Sequence, residues 1–195
     1  MTTPWIIKPI WNGETVAVLA SGPSLTPAAA DQLRQHKCIA VNHSHRLAPW
    51  ADMLVCLDLN MPLWTAARDF AGMKVSGSPS DAVDALYAGQ MFERIALGPS
   101  HTIEARNSGL AAIRIAAAMG AVRIILAGFD PDADGYFDGH PAPSRRRHPW
   151  LATGLAAIIN ELRVRGIVVE RLAPQPQAAT IVTSKPARRR RGKNG

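Results

Sequence analysis

Residues 16–26 read VAVLASGPSLT, an apolar run that breaks at Ser21-Gly22 and restarts at Thr26-Pro27. This pattern predicts a strand, a tight turn and a helix start. Gly22 permits a close backbone approach, and Pro27 suits a first helical position. Ser24 or Thr26 can cap the amides left unpaired there. Such a turn can hold an anion, so a phosphate-bearing ligand is the natural candidate. The same Gly, Pro and Ser also serve plain strand-to-helix turns that bind nothing. Neither G-x-G-x-x-G nor G-x-x-x-x-G-K-[ST] occurs in the chain, which argues against an ordinary dinucleotide enzyme or P-loop NTPase.

Outward from this turn, residues 27–36 have helical spacing, and residues 38–42 and 53–57 are compact apolar runs separated by Pro49. Residues 62–70 and 80–88 suggest short helices flanking a weak strand at 73–75, with another strand at 94–97. The clearest helix is 108–119, SGLAAIRIAAAM, Ala-rich and apolar nearly all round, with Gly120 placed for a left-handed cap. VRIILA at 122–127 reads as a strand, residues 151–165 as an amphipathic helix between Pro149 and Gly166, and residues 167–172 as the last strand. Apolar strands alternating with helices indicate an α/β, three-layer, Rossmann-like fold. The sheet is expected to be mostly parallel, with helices on both faces, in a single domain over residues 1–174.

Of 195 residues, 47% are hydrophobic, enough for one sizeable core. The formal charge of +7 is unevenly placed: Lys185, Arg188, Arg189, Arg190, Arg191 and Lys193 supply six positives, no acid follows Glu170, and residues 1–174 keep only +1. Residues 175–195 mix Pro, Gln, Ala and Ser with the Arg run and lack a periodic apolar pattern, so a disordered basic tail is expected. Its cations can contact nucleic acid or another polyanion, although no aromatic residue is interleaved to stack on bases; a merely solvated tail is the competing reading. Cys38 and Cys56 lie in apolar runs, where a thiol acts as a small hydrophobe, and neither a disulfide framework nor a zinc site is expected. The start of the chain lacks the pattern of a secretory signal and no apolar stretch reaches the length of a membrane span, so a cytoplasmic location is expected.

Ligands of open parallel sheets sit beyond the carboxyl ends of the strands. Here those ends are polar: Ser21, Gly22, Pro23 and Ser24; Asn42 to His45; Asp58 with Asn60; and Gly128 to Asp130. Asn107, Ser108 and Gly109 open the Ala-rich helix and form a second candidate anion cradle. Each residue also has a plain role in capping or satisfying turn amides; their coincidence on one rim points to a shared small-molecule site. Asp130, Asp132, Asp134 and Gly135 reproduce the opening of a calcium loop, but its twelfth position is Pro141 and no metal site of protein ligands alone is expected; a divalent cation held between Asp130 and a ligand phosphate stays open. His140 and His148 bracket a loop containing Arg145, Arg146 and Arg147. Either imidazole can act as general acid or base, and the arginines can clamp a phosphate.

GPSL at 22–25, AVN at 40–42, ADMLVCLD at 51–58, NSGLAAIRIAAAMGAVRIILAGFD at 107–130 and GHP at 139–141 occur in an order that resembles one superfamily. It joins the archaeal 6-hydroxymethylpterin diphosphokinase-like (MptE-like) proteins with bacterial lipo-oligosaccharide sialyltransferases. Small phage-encoded Rossmann-like members are the most similar, through W-x-G-E-T-V from Trp11 and APWAD before Met53. The sialyltransferase resemblance implies contacts to the CMP part of a CMP-sugar from Gly22, Pro23, Ser24, Asn42, Ser108 and Gly109, with a catalytic His. The Gly-His match selects His140, whereas spacing to the final helix selects His148. The diphosphokinase resemblance implies ATP and magnesium, with Asp58 and Asp130 facing the metal or the pterin.

The reading that results is a nucleotide-dependent transferase moving a glycosyl group from a nucleotide-sugar to an acceptor hydroxyl. The alternatives are an MptE-like diphosphokinase and a non-catalytic, phage-type binding module. Its catalytic candidates are His140 and His148. The expected cofactor is a nucleotide or nucleotide-sugar, CMP-sugar-like or ATP, and the expected partners are that donor and an acceptor.

Overall fold

Along β1 (Thr15–Leu19) successive side chains enter opposite faces of the sheet, and both sets are buried: Val16 and Val18 join one apolar cluster, Ala17 and Leu19 another. A strand apolar on both sides belongs in the middle of a covered sheet. The computed structural model describes residues 6–58, 60–77, 92–94, 107–138 and 149–172. In these, β1 is joined by β2 (Lys37–Val41), β3 (Met53–Cys56), β4 (Met73–Ser76), β5 (Phe92–Arg94), β6 (Arg123–Ala127) and β7 (Val168–Arg171) in one sheet ordered β5-β4-β3-β2-β1-β6-β7. All six neighbouring pairs are parallel. The fold is the α/β, three-layer, Rossmann-like architecture expected, and the order reverses between β1 and β6.

The described helices are α1 (Pro27–Gln32), α2 (Met61–Ala66), α3 (Ser108–Ala118) and α4 (Pro149–Val164). Leu110, Ile113 and Ile115 of α3 and Leu155, Ile158 and Leu162 of α4 bury with Val16, Ile39 and Met53 on one face. Ala30 of α1 and Leu63 and Trp64 of α2 bury with Leu19, Ala40 and Leu54 on the other. Cys38 and Cys56 are buried there as free thiols. Burial raises the pKa of both, Cys56 to about 12, so they behave as small hydrophobes.

Several boundaries differ from the sequence reading. Helix α1 stops at Gln32 because the chain tightens into three-residue turns, with the amides of Arg34 and His36 donating to the carbonyls of Asp31 and Leu33. Helix α2 stops at Ala66, and the buried Lys74 amine donates to the Phe70 carbonyl in the turn that follows. Strand β5 lies two residues earlier than expected, at Phe92–Arg94. Helix α4 starts at Pro149, whose fixed φ fits a first helical turn. Gly120 has φ +98°, and a Cβ there would lie 2.8 Å from the Cα of Asn12, so both conformation and packing require glycine. The helix expected at 80–88 and residues 175–195 lie outside the described residues.

Candidate functional site

Because all seven strands run the same way, their last residues share one edge, and each segment after a strand departs from it. In open parallel sheets the crevice for a ligand lies where two neighbouring connections diverge, here between β1 and β6. The two connections do not diverge at once. The Gly22 amide donates to the Gly128 carbonyl at 2.9 Å, and the Phe137 amide donates to the Ser21 carbonyl at 3.1 Å. Asp130 accepts the Ser24 amide on Oδ2 and the Ser24 hydroxyl on Oδ1, both at 2.8 Å. The carboxylate thus occupies the place at this turn where the sequence suggests an exogenous anion. Gly22 is the residue that admits it, since a Cβ at position 22 would overlap both Asp130 Oδ2 and the Gly128 carbonyl. Gly128, at φ +68°, makes the same close approach to the Ala20 carbonyl.

Of the two capping candidates, Thr26 caps α1 by accepting the Ala29 amide at 3.1 Å, while Ser24 faces Asp130. Ser21 is buried and donates its hydroxyl to the Val41 carbonyl at 3.0 Å, tying the ends of β1 and β2. Pro23 is exposed. Beyond Phe137 the chain reaches over β1, and Asp138 pairs with Arg46 at 3.3 Å.

At the end of β2 the chain enters a 3-10 turn (Asn42–Arg46) through Asn42, the one non-glycine residue with positive φ among the described residues, at 53°. Its side-chain oxygen is buried and has no hydrogen-bond partner. Its carbonyl accepts Nδ1–H of His45 at 2.8 Å; a carbonyl only accepts, so the imidazole proton sits on Nδ1. Burial lowers the His45 pKa, and nearby Arg46 adds to this, against the opposing hydrogen bond to Asn42. Ser44, fully buried, accepts the Val41 amide at 2.7 Å and donates toward the carbonyls of Leu19 and Val41. Ser44 and His45 thus hold the turn that presents Asn42.

Asp58 is exposed just past β3, and Asn60 caps α2 by accepting the Leu63 amide at 3.0 Å. The Ser108 hydroxyl accepts the Leu57 amide at 3.0 Å, fastening the start of α3 to the end of β3. Asn107 caps α3, taking the Gly109 and Leu110 amides at 2.7 and 3.3 Å. The Phe129 ring lies against Gly109, where a Cβ would sit 3.1 Å from Cε1. The β1 turn, the β6 connection and the α3 start therefore meet through Phe129 and Asp130.

No family model, curated protein or solved structure matches the chain.

The structure thus gathers Ser21, Gly22, Pro23, Ser24, Asn42, Asp58, Asn107, Ser108, Gly109 and Asp130 on or beside one edge. Ser21, Ser24, Asn107, Ser108 and Asp130 are engaged in internal hydrogen bonds. His140, His148, Arg145, Arg146 and Arg147 lie outside the described residues. The rim carries acceptors: the Asn42 carboxamide oxygen and the carboxylates of Asp58, Asp132 and Asp134, all three of which are exposed residues. Among the described residues no three His, Cys, Asp or Glu side chains converge to hold a metal. The Asp130 clamp and the role of Ser44 escaped the sequence reading; the signal for the clamp was an Asp three residues past a strand whose neighbour ends in Ser-Gly-Pro-Ser.

Proposed function

We propose that the carboxyl edge above β1, β2 and β3 binds a nucleotide and that the chain is a nucleotide-dependent transferase. Asn42 carries this reading. A left-handed non-glycine residue with a buried, unpartnered carboxamide oxygen is doubly unfavourable for the fold, and such positions cluster at functional sites. The oxygen calls for a donor, which a nucleobase amino group or a ribose hydroxyl supplies. His140, with His148 as the alternative, acts as general base or acid toward the acceptor hydroxyl. Because Asp130 takes the Ser24 amide and Asn107 takes two amides of α3, the donor phosphate needs positive charge from elsewhere. The arginines at 145–147 or a divalent cation would supply it.

Two donors fit the resemblance. A nucleotide-sugar makes the protein a sialyltransferase-like glycosyltransferase. The acidic rim of Asp58, Asp132 and Asp134 favours the second, a magnesium-bound ATP transferring diphosphate. Thermal-shift and calorimetric titrations with CMP, CDP, UDP-sugars, ATP and GTP, with and without magnesium, separate them. Asn42→Gly suits the backbone while deleting the carboxamide, and is expected to weaken the bound nucleotide about tenfold, from the loss of one buried hydrogen bond, without lowering the melting temperature of the free protein. No response to any nucleotide would leave a non-catalytic, phage-type binding module as the remaining reading.

A further inference from the structure

We propose that the amino end of the sheet is a contact between two copies of this chain, related by a twofold axis that passes between Val122 and Val168. Because all seven strands run the same way, their first residues share one end, opposite the carboxyl edge. Among the described residues six large hydrophobics are exposed; Tyr136 belongs to the carboxyl edge, and four of the others gather where the strands begin. Val122, 49% exposed, immediately precedes β6, and Val168, 55% exposed, opens β7. The two are neighbours, since the Val168 amide donates to the Val122 carbonyl at 3.0 Å. Val164, 82% exposed, ends α4 just before the chain turns through Gly166, at φ +80°, into β7. Ile10, 63% exposed, precedes Trp11, whose amide donates to the carbonyl of Met119 at the end of α3, three residues before Val122. A lone exposed valine needs no explanation, but a group of apolar side chains at one end of a molecule marks a contact surface.

The charges around the group say what covers it. On the β1 side stands Glu14, exposed, whose carbonyl accepts the Val122 amide at 3.1 Å. On the β7 side Arg163 and Arg165 flank Val164 and are exposed as well. Arg165 has a loose contact of 3.7 Å with Glu161, which the Arg114 guanidinium already holds at 2.8 Å. Across the sheet the surface therefore runs acid, apolar, base. Such an order is complementary to itself. A half-turn about an axis along the strands lays Val122 of each copy on Val168 of the other and brings each Glu14 toward Arg165 of the other. An anionic lipid surface would be drawn to the arginines and repelled by Glu14, whereas a second copy meets both signs. The two carboxyl edges then point away from each other and stay open, so the association does not rest on what binds there.

The test is sedimentation velocity of the full chain over a concentration series. The chain is expected to sediment as a dimer that dissociates on dilution. Val164→Glu, at a site too exposed to disturb the core, should raise the dissociation constant at least about tenfold with an unchanged circular-dichroism spectrum. Glu14→Arg and Arg165→Glu should each weaken the dimer by a similar factor, because each sets like charges against one another, while an equal mixture of the two variants should recover it as a mixed dimer. A chain monomeric at every concentration, whether inert or captured on phosphatidylserine vesicles, would overturn the proposal. So would a dimer indifferent to Val164→Glu, or a mixture no more associated than either variant alone. None of these readouts involves a nucleotide, so failure here and failure of the transferase reading are distinguishable.

Discussion

The meeting of Gly22, Ser24 and Asp130 decides how much of the β1 turn is left for a ligand. An ionised carboxylate taking an amide and a hydroxyl from one residue makes two charge-assisted hydrogen bonds, each worth about 1.5–3 kcal/mol when removal leaves a partner unsatisfied. Ser24→Ala and Asp130→Ala should therefore be strongly non-additive. Urea unfolding of the two single variants and the double is expected to give a coupling energy of about 1–3 kcal/mol; because Ser24→Ala keeps the amide bond to Asp130, additivity would show that the hydroxyl–carboxylate bond contributes nothing to the fold. Gly22→Ala places a methyl against the carboxylate and a backbone carbonyl at once, and only the carboxylate can move. Its expected cost is about 1–3 kcal/mol, toward the upper figure.

At the level of elements, α3 shows what was legible from the chain and what was not. Its Ala-rich composition, the Asn-Ser-Gly start and Gly120 after its end announced a tightly packed helix with both caps, and the structure has Asn107 capping and Gly120 left-handed. The alternating strands were equally readable, because burial on both faces makes them continuously apolar. Long-range partners were not, since nothing local ties Ser108 to Leu57 or Asp130 to Ser24: those pairs are 51 and 106 residues apart. Candidate residues could thus be placed on the edge from sequence, while the fact that several already satisfy one another could not. Asn107→Ala tests the cap by itself. Losing the shared acceptor of two α3 amides should destabilise the protein by about 1 kcal/mol in denaturant unfolding, and a nucleotide phosphate that used those amides would then bind more tightly, not less.

For the whole molecule, two apolar layers on either side of one sheet make stability a joint property of the strands and the turns that close them. His45 couples that stability to pH. It is buried in the turn after β2, its ring edge-on to Phe70 with centroids 6.4 Å apart. Burial, with Arg46 beside it, lowers its folded pKa below the ordinary 6.5. As pH falls through 6.5 the unfolded chain takes up a proton that the folded chain still refuses, so the unfolded state binds more protons and unfolding becomes easier. The stabilisation is complete above 6.5, declines below it, and stops declining once the folded imidazole is itself protonated. Lys74, also lowered by burial, gives a slope of the same sign below its ordinary 10.5. His45→Asn keeps a donor for the Asn42 carbonyl without a group that titrates. Chemical unfolding from about pH 7 to 5 should show the wild-type free energy falling more steeply than the variant's, by at most about 1.4 kcal/mol per pH unit. Parallel pH profiles would mean that His45 is not the group that senses the acid.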